Sequence, residues 1–290
     1  MNLIKYGNKL VGKNGILVGY LPAFTIRLRF LPDVTPTFSK GTAVQLSRSP
    51  NVWDLTYNNT DWTELLEGQD ELTAVISSNT SGVTSMAGMF GGCTELETVF
   101  QLDTSAVTDM EEMFGGCLAL TGFETPLVTS SVTSMQGMFY YCQSLQTGKV
   151  RLSDTSNVTN MSAMFYGANF IGGVAPSMDT SSLANAYIMF ALSNVGTVPL
   201  YDTSSVTSAE AMFYGCESLA TIPLFDTSSM TNVDAMFSDC YNVESGALAV
   251  YSQMASQANP PTTHVETFYG CGSNTASGAA ELAQIPSDWK

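Results

Sequence analysis

Six cysteines are the residues of this chain with the widest range of possible chemistry, since thiols can bind metals, form disulfides or act as nucleophiles. Each lies three residues after a recurring phenylalanine: Cys93, Cys117, Cys142, Cys216, Cys240 and Cys271. Two further repeats carry Ala168 and Ser193 at the same place, so the position selects a small side chain and not a thiol. We therefore predict a buried column of reduced cysteines. Occasional disulfides stay open as an alternative, because stacked repeats would bring these Cα atoms to ~5 Å from one another.

Metal binding and catalysis find little support in the sequence. Structural zinc sites use four Cys or His ligands, whereas this chain has no C-x-x-C pair and one histidine, His264. His264 and Cys271 could pair as base and nucleophile, but the small-residue column already accounts for Cys271. The sequence contains no G-x-S-x-G, H-E-x-x-H or phosphate-binding glycine loop. We predict a non-enzymatic protein that uses neither a cofactor nor a metal.

Aspartates form a second column, and each of them opens an Asp-Thr-Ser triplet. The members are Asp103, Asp154, Asp179, Asp202 and Asp226, and Val128 interrupts the column. A row of like charges is costly unless each carboxylate is satisfied. We predict that each aspartate accepts backbone N–H bonds within its own turn. Calcium bridging between neighbouring repeats is the alternative.

The elements that must position these columns repeat along the chain. A Met-Phe pair recurs at spacings of 24, 25, 26, 25, 23 and 24 residues: Met89-Phe90, Met113-Phe114, Met138-Phe139, Met164-Phe165, Met189-Phe190, Met212-Phe213 and Met236-Phe237. Such a period is typical of a solenoid, with the Met and Phe columns as its core. The segment 219–226 matches the strand part of a leucine-rich repeat, and Met230, Val233 and Met236 predict a helical face. The predicted fold class is an α/β repeat solenoid, a leucine-rich-repeat-like right-handed coil.

Three regions follow from the extent of the repeats. Residues 1–78 do not repeat and predict a β-rich N-terminal cap, or head. Residues 79–243 predict about seven coils of the solenoid. Residues 244–290 predict a helical C-terminal cap that contains a degenerate last repeat at 268–271. Caps are expected because the end coils of a solenoid would otherwise expose apolar edges.

Charge is strongly segregated in this chain of net charge −16. The residues before position 51 carry a net charge of +6, and the remainder carries −22. The acidic part repels nucleic acid and anionic membranes, and the sequence has neither a secretory signal nor an apolar run long enough to span a bilayer. The basic head could dock on an acidic partner through Lys5, Lys9, Lys13, Arg27 and Arg29. Uneven surface charge without a role is the alternative.

Alternation along the predicted strands marks a candidate binding surface. The residue before each column aspartate, and some residues two positions further back, should point away from the core. These positions include Phe100, Leu102, Leu127, Arg151, Met178, Tyr201 and Phe225. A mostly apolar exposed stripe of this length is typical of a contact surface. The alternatives are that the coil is rotated from this assignment, or that the head folds over the stripe.

Several repeats resemble a known family. The strings DTSAVTDMEEMFGGC (103–117), DTSNVTNMSAMFYG (154–167) and DTSSMTNVDAMFSDC (226–240) are similar to the BspA-type leucine-rich repeat of bacterial surface proteins, over roughly residues 79–243. The resemblance implies an adhesive, non-enzymatic protein, and it transfers no functional residue because the shared positions belong to the scaffold. The segment YGNKLVGKNGILVGYLPAF (6–24) further resembles proteins of bacteriophages that infect gut Bacteroidales.

These observations lead to three functional hypotheses. The first is a bacteriophage virion component, attached to tail or capsid through its head, that presents the repeats to a protein or glycan on the host surface. A virion protein needs no export signal, which fits the missing leader. The second is a bacterial cell-surface adhesin exported by another route. The third is an intracellular protein-interaction scaffold, which reduced thiols permit.

Overall fold

The computed structural model describes residues 24–46 and 49–290, with backbone alone at 49–50, and also the backbone of residues 4–6, 9–11 and 17–20. Its strands are β1 (Ile4–Tyr6), β2 (Lys9–Val11), β3 (Leu17–Tyr20), β4 (Thr25–Phe30), β5 (Thr42–Leu46), β6 (Ser49–Thr56), β7 (Leu72–Asn79), β8 (Thr98–Val99), β9 (Gly122–Phe123), β10 (Leu145–Gln146) and β11 (Phe170–Ile171). Its helices are α1 (Ala247–Ser256), α2 (Ala276–Leu282) and a 3-10 turn (Ser287–Trp289).

A mixed sheet joins the N-terminal region to the repeats. Its strand order is β5-β6-β4-β7-β8-β9, while β1, β2 and β3 form a separate antiparallel sheet. Strand β4 pairs antiparallel with β6 and β7, and β7 pairs parallel with β8. Within β4, Ile26, Leu28 and Phe30 are buried and Arg29 is exposed, as expected for a strand with one face on the core. The sheet therefore continues directly into the first repeats.

Successive repeats stack in register on one another. One residue per repeat belongs to a continuous row of parallel bridges: Asp61, Ser85, Asp109, Ser134, Asn160, Asn185, Ser208, Asn232 and Thr263. This row begins before the predicted boundary at 79 and ends after the one at 243. At its start, Trp62 and Leu66 occupy places that a methionine and a phenylalanine hold in later repeats, and both are fully buried. Residues predicted to be head thus contribute the first layer of the stack.

The predicted α/β leucine-rich-repeat-like coil is wrong. In the described part of the chain no helix occurs before Ala247, and the repeats contribute strands of only two residues. Strands in the mixed sheet are the dominant regular element, and between them the repeats consist of turns. The predicted helical cap is also wrong, because the region contributes only two short helices, α1 of ten residues and α2 of seven. A repeat turn lies between them, where the degenerate last repeat was predicted. In that turn Phe268 stacks on Phe237 with a centroid distance of 5.6 Å.

Hydrogen bonding explains why turns replace the predicted helix. The Cys93 N–H donates to the Phe90 carbonyl of its own turn at 3.1 Å, whereas the Phe90 N–H donates to Met113 of the next repeat at 2.9 Å. An α-helix would direct every donor to its own chain four residues back. The turns also contain left-handed residues, such as Ala163 with φ 55° and Gly167 with φ 63°, which an α-helix excludes. The spacing of three and four residues therefore produces a buried face without a helix.

The core is a continuous column of stacked rings. Its members are Phe90, Phe114, Phe139, Phe165, Phe190, Phe213, Phe237 and Phe268. Neighbouring ring centroids lie 5.3 to 5.9 Å apart. The methionine before each phenylalanine of a Met-Phe pair is buried as well, with an exposed fraction of at most 1%. The prediction that the Met and Phe columns form the core is confirmed.

Ala211→Gly is expected to stabilise the protein by about 1 kcal/mol. Ala211 has a φ of 51°, and the left-handed region costs an L-residue about 1–2 kcal/mol but costs glycine almost nothing. Greater entropy of the unfolded chain offsets part of this gain. Urea denaturation measures the change. The control is Ala209→Gly, at a buried alanine whose φ is not positive, where a loss of about 1 kcal/mol is expected. Similar losses at both positions would contradict the argument.

Candidate functional site

The predicted column of buried, reduced cysteines is confirmed. All six thiols are free and buried. Five of them donate to the carbonyl at the phenylalanine position of the preceding repeat, as Cys117 does to Phe90 at 3.1 Å. Burial raises the pKa of Cys93, Cys216 and Cys271 to about 12. Because the thiolate is the reactive species, Cys271 is not activated as a nucleophile at neutral pH.

The aspartate column satisfies itself through its own turns, as predicted. In each Asp-Thr-Ser triplet the serine N–H donates to an aspartate oxygen at 2.9 to 3.1 Å. Hydrogen bonds from the serine side chain and backbone lower the pKa of four members, Asp154, Asp179, Asp202 and Asp226. Among the described residues, no group of three or more His, Cys, Asp or Glu side chains is placed to hold a metal ion. The column therefore acts as a set of turn caps.

The predicted outward strand face is wrong at most of its positions. Four of its members are buried in the core: Leu102, Leu127, Tyr201 and Phe225. Met178 is half-buried against the same core. Only Phe100 and Arg151 are exposed. The seven residues of the predicted outward face therefore do not form one exposed surface.

A shift of one residue explains the error in two repeats. Tyr201 and Phe225, directly before their aspartates, point inward, whereas Leu200 and Leu224 point outward with exposed fractions of 71% and 58%. The inward Tyr201 remains satisfied because its hydroxyl donates to the Pro176 carbonyl at 2.6 Å. Of the alternatives left open by the sequence, a coil rotated from the assignment is the one that the structure supports.

The basic head is only partly described. Arg27 donates to both oxygens of Asp54, at 2.7 and 2.8 Å, so its charge is already neutralised. Arg29 is exposed. Lys5 and Lys9 belong to β1 and β2, but their side chains, and all of Lys13, lie outside the described residues. Docking through this region therefore stays a prediction.

A row of tyrosines lies on the turn side of the repeats. Five follow a repeat phenylalanine by one or two residues and one follows Cys240. This set, called the tyrosine face below, is Tyr140, Tyr141, Tyr166, Tyr214, Tyr241 and Tyr269. The centroid of the Tyr140 ring lies 4.5 Å from that of Tyr141 and 5.3 Å from that of Tyr166. Tyr214 occupies, two repeats after Tyr166, the same place directly after the core phenylalanine. At the C-terminal end, 53% of Tyr269 is exposed.

An alternation in size shapes this surface. From Phe139 onward, the second residue after each column phenylalanine alternates between a large side chain and glycine: Tyr141, Gly167, Leu192, Gly215, Asp239 and Gly270. The large side chain lies over the glycine of the next repeat. A Cβ on Gly167 would lie 2.5 Å from Tyr141 Cε1, and one on Gly215 would lie 2.6 Å from Leu192 Cδ2. Beside these glycines a tyrosine recurs at every second repeat: Tyr166, Tyr214 and Tyr269.

Carboxylates flank the C-terminal half of the tyrosine face. The Tyr241 hydroxyl donates to Asp239 Oδ1 at 2.7 Å, and this bond raises the pKa of Tyr241 to about 12. The charges of Asp239 and of the exposed Glu266 contribute to raising the pKa of Tyr214. The basic residues after position 50 contact other groups: Lys149 with Glu124, Arg151 with the Gly148 carbonyl and Lys290 with the Leu282 carbonyl. The result is a neutral aromatic surface with negative charge at one end.

Sequence reasoning missed the tyrosine face although the sequence contains a signal for it. Aligning the repeats on the core phenylalanine places a tyrosine at the next position in four of them: Tyr140, Tyr166, Tyr214 and Tyr269. The spacing of the Met-Phe segment predicts a helix with one buried face, and the alternation that predicts outward apolar residues applies only to strands. Whether the residue after a buried phenylalanine faces solvent depends on the backbone of the turn, which the repeat pattern does not specify.

A family model matches more than half of the chain. The model, described as "Mycoplasma protein of unknown function, DUF285", matches residues 33–149 and again residues 133–251. Two overlapping matches to one model are expected when the sequence repeats internally. No curated protein and no solved structure matches the chain. In the described part of the chain, no helix has the length and apolar character needed to cross a membrane.

Proposed function

Since this chain belongs to the DUF285 family of proteins of unknown function, we propose that it is a non-enzymatic binding protein whose tyrosine face contacts a partner. The observation that carries the proposal is the position of this aromatic row at the surface of a scaffold whose column of repeat phenylalanines is buried. Tyrosine supplies a large contact area at a small cost in side-chain entropy, and it is enriched at the centres of protein interfaces. The inert thiols add to the argument, because burial leaves the cysteines protected and not poised to react.

The setting that we propose is a bacteriophage particle that attaches to the surface of its host. The support is the similarity of the repeats to BspA-type adhesive repeats and the segregation of charge between a basic head and an acidic body. In this arrangement the head docks on tail or capsid, and the tyrosine face meets a protein or glycan on the bacterium. Recovery of the chain in purified particles would support this setting. Recovery only in the envelope of a phage-free strain would favour a cell-surface adhesin instead.

An intracellular interaction scaffold is a second candidate, favoured by one observation. All six cysteines are unpaired, and free thiols are usual in reducing compartments. The tyrosine face would then bind a partner within the cell. Fractionation of the producing cells separates this possibility from the other two.

Loss of tyrosines from the face is expected to weaken binding to cells by about tenfold or more. The measurement is the binding of fluorescently labelled full-length protein to intact gut bacteria, comparing the wild type with the double variant Tyr166→Ser, Tyr214→Ser. Tyr214 is exposed and Tyr166 is half-buried outside the core, so the fold should persist, and circular dichroism verifies this. The matched control is Leu224→Ser, which removes an exposed apolar side chain from another part of the repeat. Equal binding by the wild type and the double variant would contradict the proposed role of the face.

A further inference from the structure

We propose that the tyrosine face binds an extended segment of a partner protein that carries arginine at every third residue. The inference rests on the proposed binding function and names the chemistry of its partner. Two features of the face lead to it: the aromatic rings with their flanking carboxylates, and the distance between successive tyrosines.

The rings of the face are held in place before any partner arrives. Tyr166 stacks on Tyr140 with an interplanar angle of 13° and meets Tyr141 edge-on at 89°. The Tyr241 ring is fixed by its hydrogen bond to Asp239 and lies over Gly270, where a Cβ would be 2.9 Å from Tyr241 Cε1. Ordered rings lose little side-chain entropy when a ligand binds, which favours affinity.

The charge beside the rings selects a cation. The Asp239 carboxylate accepts a hydrogen bond from Tyr241 at 2.7 Å, and Glu266 is exposed three residues before Tyr269. The basic residues that follow position 50 contact other groups. A neutral glycan would stack on the rings but leave these carboxylates without a counter-charge. An anionic glycan would be repelled by a protein of net charge −16.

Arginine fits this combination better than lysine. Its planar guanidinium stacks on aromatic faces and also donates two parallel hydrogen bonds to a carboxylate. The face presents both kinds of group side by side, since the Asp239 carboxylate lies 2.7 Å from the Tyr241 hydroxyl. Lysine offers a point charge without the stacking plane.

The spacing of the tyrosines indicates the conformation of the partner. Tyr166, Tyr214 and Tyr269 are each separated by two repeats. Core rings of adjacent repeats lie 5.3 to 5.6 Å apart along this stretch, and parallel strands are ~4.8 Å apart, so tyrosines two repeats apart are separated by ~10–11 Å. A polyproline II segment advances ~9.3 Å in one turn of three residues, whereas side chains on one face of a β-strand recur every ~6.7 Å. An arginine at every third residue of a polyproline II segment therefore meets one tyrosine per turn.

Fluorescence anisotropy with two labelled peptides tests the inference on the full-length protein. The probe peptide contains four Arg-Pro-Pro triplets, and the comparison peptide has the same composition with its arginines grouped at one end. We expect the probe to bind at least about tenfold more tightly than the comparison peptide, and more weakly as salt rises. Equal affinity for the two peptides would overturn the proposal, since binding would then depend on net charge alone.

Variants locate the binding on the face. Tyr214→Ser and Asp239→Asn are each expected to weaken binding of the probe by about tenfold; asparagine tolerates the left-handed backbone of Asp239, whose φ is 61°. The control Asp202→Asn removes the same charge from the aspartate column and should change the affinity less than about twofold. A larger effect of Asp202→Asn than of Asp239→Asn would contradict binding at the face.

The cell-binding measurement separates this inference from the proposed function. If the tyrosine variants lose binding to cells while the probe neither binds nor competes, the face is an attachment surface for another ligand and the arginine inference is wrong. If the probe competes with cells for the wild-type protein, both the arginine inference and the proposed attachment function are supported. If the probe binds at the face but the tyrosine variants bind cells as well as the wild type does, the arginine inference is supported and the proposed attachment to cells is wrong.

Discussion

Phe190→Ala is expected to lower the free energy of unfolding by about 4 kcal/mol. The Phe190 ring is fully buried and stacks between Phe165 at 5.3 Å and Phe213 at 5.5 Å. Its removal forfeits the transfer free energy of the ring and leaves a cavity between two layers that hydrogen bonds hold in register. Because each layer contacts mainly its neighbours, a defect in the middle of the stack weakens two interfaces at once.

Urea denaturation followed by circular dichroism measures this loss. The control is Leu192→Ala, in the same turn, at a side chain with an exposed fraction of 47%. Since Leu192 contributes little buried area, its replacement should cost less than about 1 kcal/mol. A loss below about 1 kcal/mol for Phe190→Ala would show that the ring column is not the main source of cohesion between layers.

Raising the pH from about 9 to 12 is expected to unfold the protein. In the native state burial raises the pKa of Cys93, Cys216 and Cys271 to about 12, while an unfolded thiol has a pKa of about 8.5. Between these values the native state binds more protons than the unfolded state, so the free energy of unfolding falls as the pH rises. The slope is about 1.4 kcal/mol per pH unit for each buried thiol. Below about pH 8.5 the stabilisation is fully present.

Six buried thiols make this effect large compared with the usual stability of a domain, about 5–15 kcal/mol. Far-ultraviolet circular dichroism between pH 7 and 12 records the transition. Cys142→Ala is the control, because Ala168 occupies the equivalent place in the next repeat, and this variant should lose stability with pH less steeply than the wild type. Native thiols should also resist iodoacetamide at pH 8. Alkylation of the native protein at the rate of unfolded protein would contradict the burial argument.

The roles of two recurring features, the small-residue position and the Asp-Thr-Ser triplet, could be predicted from the sequence. Alanine and serine at the cysteine position revealed a restriction on volume, and burial of all six thiols follows from it. The Asp-Thr-Ser triplet contains its own acceptor and donors, so the bond from Ser156 N–H to Asp154 is a property of a few adjacent residues. Local hydrogen bonding of this kind depends little on the rest of the fold.

Residue spacing alone gave a wrong prediction where the backbone conformation of the repeat had to be known. Met230, Val233 and Met236 are spaced as on a helix, yet Ala235 has a φ of 53° and the segment is a series of turns. Hydrogen bonds to the neighbouring repeat compete with the helix, and these partners are far away in sequence: Phe213 donates to Met236, 23 residues later. The pattern of residues within one repeat contains no information about these hydrogen bonds to another repeat.

The sequence by itself determined the period, the residues that fill the core, the burial of the cysteines and the closure of each Asp-Thr-Ser turn. Only the tertiary structure decided which flank of each repeat faces solvent. Tyr201 and Phe225 proved to be core, while Tyr214 and Tyr269 proved to be surface. The physical reason is that repetition specifies which positions are equivalent, whereas the rotation of each turn about the stack depends on hydrogen bonds made between layers.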